Sequence, residues 1–120
     1  MQRDRCILIV DDDESTREVI EVFLTGEGYR VVGAGDGSMG LRLAQESSPG
    51  LILLDMLMPI LDGRGFCEAY RMSAGPHAPI VVLTASFEAD LSAKRLNAQG
   101  YLSKPFNLDD LLEMIRRHLA

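Results

Sequence analysis

Short, almost uniformly apolar runs alternate along the chain with stretches in which apolar residues recur at helical spacing. The runs are Cys6 to Val10, Tyr29 to Ala34, Leu51 to Leu54, Ile80 to Leu83 and Tyr101 to Ser103. Each has strand length, and uniform rather than alternating hydrophobicity is what a strand covered on both faces requires. Val19, Ile20, Phe23 and Leu24 form one apolar stripe, and Leu108, Leu111, Leu112, Ile115 and Leu119 form another, which predicts an amphipathic helix in each place. Ser15 with Glu18 reads as a capping box at the start of the first helix, Gly26 or Gly28 as its closure, and Asn107 as the cap of the last helix. No repeat, low-complexity tract or linker interrupts the alternation. Five β-α units with helices too short for a barrel predict one doubly wound α/β domain over residues 1–120: a five-stranded parallel sheet between two helical layers.

Composition narrows the class of function. At 120 residues there is room for one core, and 47% hydrophobic with 25% charged residues at a mean hydropathy of +0.05 suits a globular chain. The apolar runs are too short to span a bilayer and no charged-then-apolar leader precedes the first strand, so no membrane association is expected and the cytoplasm is the expected compartment. A net charge of −6, a pI near 4.8 and the lack of a Lys/Arg cluster exclude a surface that tracks phosphates, so the domain by itself is not expected to bind nucleic acid. Cys6, in an apolar run, and Cys67, in a helical pattern, read as buried small hydrophobes rather than as a disulfide or metal ligands.

In an open parallel sheet, ligands bind beyond the carboxyl ends of the strands where the strand order reverses. The first strand runs into Asp11, Asp12 and Asp13, the third into Asp55, the fourth into Thr84, and the fifth into Lys104 and Pro105. The second ends plainly in Ala34 and Gly35, as an order 2-1-3-4-5 would explain by placing it at the edge. Two like charges about 4 Å apart repel by roughly 4 kcal/mol at an effective dielectric near 20, so three acids in one crevice require a counter-charge. Lys104 supplies part of it. A hard divalent cation supplies the rest: Mg²⁺, which keeps several waters and needs one or two carboxylates, fits, with Mn²⁺ as a substitute. A phosphoryl group bridging metal and lysine would complete the site, with the Thr84 hydroxyl as a further donor and Asp55 as nucleophile. Singly, each residue has a plainer role: acids after a strand cap the next helix, as suits Asp13 and Glu14, and a lone threonine or lysine belongs to a turn or to solvent. Their joint appearance at the ends of alternate units favours a site. His77, in a Gly-Pro-rich loop, and His118, near a helix C-terminus, read as structural.

Four motifs in order carry a resemblance: Ile7-Leu8-Ile9-Val10-Asp11-Asp12-Asp13, Leu54-Asp55-Met56-Leu57-Met58-Pro59-Ile60-Leu61-Asp62-Gly63, Val82-Leu83-Thr84-Ala85 and Tyr101-Leu102-Ser103-Lys104-Pro105-Phe106. With them the chain resembles, over nearly its whole length, the CheY-like receiver domain of two-component response regulators, a flavodoxin-like (βα)5 fold of strand order 2-1-3-4-5. The resemblance implies that Asp55 accepts a phosphoryl group from a phosphohistidine of a sensor histidine kinase or histidine phosphotransfer protein. It implies Asp12, Asp55 and the Leu57 carbonyl as direct Mg²⁺ ligands, Asp11 as a ligand through water, and Thr84 and Lys104 as the phosphoryl-binding pair. Tyr101 becomes the switch aromatic, and Lys104-Pro105 a cis peptide. Such a domain is a signalling module that catalyses its own phosphorylation and dephosphorylation. Its output would pass through the region from Glu88 to His118 to a downstream protein or output domain, or to a second copy in a homodimer. The stretch from Thr84 to Lys104 is shorter than the commonest family spacing, which predicts a short or irregular fourth helix. Leu57 and Ser86 flank the route of the hydrolytic water without a group able to orient it, which predicts slow autodephosphorylation. Two rivals fit less well. In a haloacid-dehalogenase-type phosphatase Asp11 to Ser15 would be the nucleophile loop, but a later acidic pair is missing where Lys104-Pro105 stands. A non-phosphorylated pseudo-receiver or flavodoxin-like binding module would not need the acceptor, and its acids would repel a flavin phosphate.

Overall fold

The alternating pattern of apolar runs and helical stripes resolves, in a computed structural model that describes residues 6–56, 61–84 and 98–119, into nine elements, with Thr84 described in its backbone only. They are β1 (Cys6–Val10), α1 (Glu14–Gly26), β2 (Arg30–Ala34), α2 (Gly37–Ser47), β3 (Leu51–Asp55), α3 (Gly63–Met72), β4 (Ile80–Thr84), β5 (Gly100–Ser103) and α4 (Leu108–His118). All five strands are parallel in the order β2-β1-β3-β4-β5, so the order reverses between β1 and β3. The expected doubly wound architecture is therefore present, with strand limits that differ by one residue: Tyr29 lies outside β2, while Asp55, Thr84 and Gly100 join their strands. The expected fourth helix falls in 85–97, outside the described residues.

The period of two along each strand distributes the core between two layers. Ile7 and Ile9, Leu51 and Leu53, and Val81 and Leu83 pack with Ile20 and Leu24 of α1 and with Leu111, Leu112 and Ile115 of α4. The intervening Leu8 and Val10, Ile52 and Leu54, and Ile80 and Val82 pack with Ala44 of α2 and with Phe66, Cys67 and Tyr70 of α3. Both faces of β1 and β3 are thus buried, which is why Cys6 to Val10 and Leu51 to Leu54 carry no charged residue ahead of the acids at the strand ends. Cys6 and Cys67 are buried free thiols as expected, and burial pushes Cys67 up to about 11.

Two local expectations are corrected. The N-cap of α1 is Asp13, not Ser15: its Oδ1 accepts from the Ser15 amide at 3.1 Å and its Oδ2 from the Thr16 hydroxyl at 2.8 Å. A carboxylate one residue ahead of the first helical turn satisfies the free amides before a serine inside that turn can do so. The stripe on α1 is also wider than the face the sheet covers: Ile20 and Leu24 are buried, Phe23 is half-buried, and Val19 is 56% exposed. Asn107 caps α4 as expected, accepting from the Asp110 amide at 2.7 Å. Of the two closing glycines it is Gly28, at φ +98°, that takes the left-handed position after α1. Among the described residues no helix is long and apolar enough to cross a membrane.

Candidate functional site

The same alternation that sorts the core also aims the acids. Ile7 and Ile9 point to the α1/α4 layer, so the next residue of that parity, Asp11, leaves β1 on that side. Leu51 and Leu53 do the same for Asp55 on β3. Val10 pairs with Leu54, so Asp11 and Asp55 are neighbours across the switch point. On β5, Leu102 packs in that layer, and Lys104 follows at the same parity. The carboxylates of Asp11, Asp12 and Asp55 come within 4.8 Å of one another at the carboxyl edge of the sheet.

Asp11 is fully buried and bonded at every polar atom. Its amide donates to the Ala34 carbonyl at 3.0 Å and its carbonyl accepts from Arg17 Nη1 at 2.7 Å. Its Oδ1 accepts from the Asp13 amide at 2.9 Å and its Oδ2 from Lys104 Nζ at 2.9 Å. The lysine also lies 3.8 Å from Asp55 Oδ1. Burial draws the Lys104 ammonium down, but the hydrogen bond to Asp11 and the charges of Asp11, Asp55 and Asp13 outweigh it, so its pKa lies above the ordinary value. Asp13 lies below the ordinary carboxylate value, held there first by the Thr16 hydroxyl. The turn after β3 is backed by α3, where Asp62 caps the helix and a Cβ on Gly63 would stand 2.8 Å from Met56 Sδ and 3.1 Å from the Asp55 carbonyl. That close approach seats the helix directly behind the Asp55 backbone.

The donor set fits a hard divalent cation. Three carboxylates gather there, two of them beside the Lys104 ammonium, all ligand atoms are oxygens, and Asp12 is exposed and so open to an incoming ion. With both oxygens of Asp11 already bonded, that residue suits contact through water better than direct ligation.

Of the expected site residues, Asp11, Asp12, Asp55 and Lys104 are brought together. Thr84 ends β4 with its backbone paired to Ser103. Its side chain, Leu57, Ser86 and 88–97 of the expected output region lie outside the described residues. Tyr101 is on β5, partly exposed, and Lys104-Pro105 is cis as expected. Arg17 was not among the expected site residues: a lone arginine on an amphipathic helix carries no sequence signal that it will turn back to a strand end. Beside the lysine an open cavity of about 510 Å³ is lined by Thr16, Val19, Ile20, Pro105 and Phe106.

Solved structures that share this fold point to its class. CheY4 of Vibrio cholerae, a chemotaxis response regulator, superposes with a TM-score of 0.89 at 35% identity, over 98% of this chain and 100% of that one. A signal receiver domain from Bermanella marisrubri does so with a TM-score of 0.88 at 29% identity, over 98% of this chain and 100% of that one. The fold is CheY-like. The chain belongs to the response regulator receiver domain family, whose profile matches residues 7–116, and it is a receiver domain of two-component signalling. The DNA-binding response regulator MtrA of Mycolicibacterium smegmatis is 36% identical over 115 residues, 94% of this chain and 50% of that protein. The ycf27 protein of Porphyridium aerugineum is 36% identical over 118 residues, 97% of this chain and 48% of that protein. The chain thus spans about half the length of these relatives. Neither the phosphatase nor the flavin-type alternative finds support in this family or this site.

Proposed function

We propose that this receiver, residues 1–120, takes a phosphoryl group onto Asp55 from the phosphohistidine of a sensor kinase or histidine phosphotransfer protein, with Mg²⁺ or Mn²⁺ as cofactor. The observation that carries this is Lys104 Nζ, 2.9 Å from Asp11 and 3.8 Å from Asp55, inside an acidic cluster at the switch point of the sheet. Asp12, Asp55 and the Leu57 carbonyl would hold the ion, with Asp11 contacting it through water. When bound, the ion supplies neutralisation of the phosphoryl oxygens. An Asp55 oxygen attacks phosphorus in line, the phosphorus–nitrogen bond of the donor breaks, and its electron pair returns to the imidazole, which takes up a proton as it leaves. Lys104 and the Thr84 hydroxyl bind the transferred group; positioning and charge, rather than a general base, account for the rate. The receiver thus catalyses its own labelling, and a small acyl phosphate can replace the protein donor.

Phosphorylation then favours a second conformer through the contacts of Thr84 and Lys104, with Tyr101 as the moving aromatic and the region from Glu88 to His118 as output surface for a downstream protein, an output domain or a second copy. The net charge of −6 supports a domain that does not itself bind nucleic acid, so any DNA binding would reside in an attached or separate output module. The setting that suits such a pathway is the cytoplasm. The test is incubation with Mg²⁺ and acetyl phosphate followed by intact mass. The wild type should gain one phosphoryl mass and Asp55→Ala, still folded, none; a folded wild type that gains nothing overturns the reading.

A further inference from the structure

We infer that Arg17 is a positioning residue for the metal site, acting through the Asp11 carbonyl to set the direction in which Asp12 presents its carboxylate. The inference rests on the proposal that Asp12 helps to hold Mg²⁺. A side chain leaves its Cα in a direction set by the two flanking peptide planes, since each plane is rigid and only the dihedrals between them are free. Both planes flanking Asp12 are tied. The one before it carries the Asp11 carbonyl, which accepts from Arg17 Nη1 at 2.7 Å. The one after it carries the Asp13 amide, which donates to Asp11 Oδ1 at 2.9 Å. The far end of the turn is the helix start itself, where the Arg17 amide donates to the Asp13 carbonyl at 3.1 Å as the first bond of α1. The Arg17 side chain thus fixes the plane before Asp12 and the Asp11 carboxylate the plane after it, which matters for a side chain that is itself exposed.

The route of the arginine is cut by two glycines at the edge of the sheet. A Cβ on Gly35 would stand 3.3 Å from Arg17 Nη1 and 3.9 Å from its Cζ, with no other atom of the described residues beyond its chain neighbours within 4 Å. A Cβ on Gly33 would stand 3.5 Å from Arg17 Cδ and 2.8 Å from Glu21 Oε2. Gly35 is thus a reporter: among the described residues beyond its chain neighbours, a methyl group added there meets only Arg17.

The experiment is calorimetric titration of Mg²⁺ into the wild type, Arg17→Ala, Arg17→Lys, Gly35→Ala and the Arg17→Ala/Gly35→Ala double variant, with the metal-free Tm of each. Residues that orient a ligand from behind typically change metal affinity 10- to 100-fold, so Arg17→Ala should raise the Mg²⁺ dissociation constant about tenfold. Arg17→Lys, which keeps one donor, should recover part of the loss. Gly35→Ala should weaken binding in the wild-type background and have no effect once Arg17 is gone. A purely structural role would lower the metal-free Tm and leave Mg²⁺ affinity alone. Equal affinity for wild type and Arg17→Ala, or a Gly35→Ala effect that persists without Arg17, overturns the inference while the metal reading stands. Should Arg17→Ala not fold, the lysine and Gly35 variants decide it by the same criteria. A wild type that binds no Mg²⁺ overturns both.

Discussion

Lys104 stands on the weak side of an unequal ledger of charge, one ammonium beside Asp11 and Asp55 in a cluster that also holds Asp12. Asp11 has no access to solvent, so deleting the lysine leaves a buried carboxylate without its ionic partner. Lys104→Met should destabilise the metal-free protein by about 3 kcal/mol, the low end for a broken buried pair because the lysine itself is partly exposed, and Mg²⁺ should recover part of this. The folded-state pKa of Lys104 lies above 10.5, so its contribution is complete below that value and is lost as pH rises through the higher folded value. Urea midpoints should therefore show the wild type losing its advantage over Lys104→Met above pH 10.5 and keeping it unchanged from pH 7 to 9. An advantage that vanishes near neutrality would mean that another group carries it. A second expectation at this scale concerns the lifetime of the phosphoryl group. Leu57 offers no hydrogen bond and Ser86 is short, so decay in the wild type should be slow and should quicken in Leu57→Asn with Ser86→Glu. Decay already fast in the wild type would place control of the water elsewhere.

Among the elements, α2 is the one whose position depends most on the absence of side chains. Its buried residues are Gly37, Gly40 and Ala44, so it lies close to its neighbours where a bulkier helix would stand off. A Cβ on Gly37 would run into the Leu61 carbonyl, part of the segment that leads from the acceptor strand into α3. Gly37→Ala should cost about 1–3 kcal/mol, as overpacking against backbone does. Gly26→Ala makes the matching control, because the space there is open and alanine is the better helix former; it should stabilise by roughly 0.5–1 kcal/mol. Denaturant midpoints that move in the same direction for both would show that propensity, not packing, governs α2. The same small residues explain why this helix leaves only a faint apolar stripe in the sequence, whereas α4, with Leu111, Leu112 and Ile115 buried, is plainly legible.

On the whole molecule, the acidic crevice opens beside an apolar surface. Val19 and Val22 are exposed on α1, and Val19 lines the cavity that reaches Lys104 and Pro105. A donor protein that brings its phosphohistidine to Asp55 must cover this side of the molecule, whereas acetyl phosphate need not. Val19→Glu should therefore slow labelling by a phosphorylated histidine phosphotransfer protein while leaving labelling by acetyl phosphate and the urea midpoint nearly unchanged, as suits an exposed position. Equal slowing with both donors would place the effect in the site itself.

The amino-acid sequence by itself determined the order and type of the strong elements, because burial on both faces makes β1, and β3 and β4 up to their last residue, uniformly apolar, and one-sided burial gives α1 and α4 their stripes. It also determined the chemistry at the strand ends, since Asp11, Asp12, Asp55 and Lys104 stand directly after apolar runs whose length sets where the sheet stops. The N-cap of α1 is ambiguous in the sequence because aspartate and serine are both good caps, and only backbone geometry shows that Asp13 stands at the entry. Tertiary structure alone decided how the site closes. Lys104 meets Asp11 across 93 positions of sequence, a contact set by the winding of five strands and not by any local pattern. Arg17 turns back to the Asp11 carbonyl across Gly33 of the edge strand and Gly35 just beyond it, where no side chain blocks the way, and that coincidence of a helix, a turn and a neighbouring strand exists only once the sheet has formed.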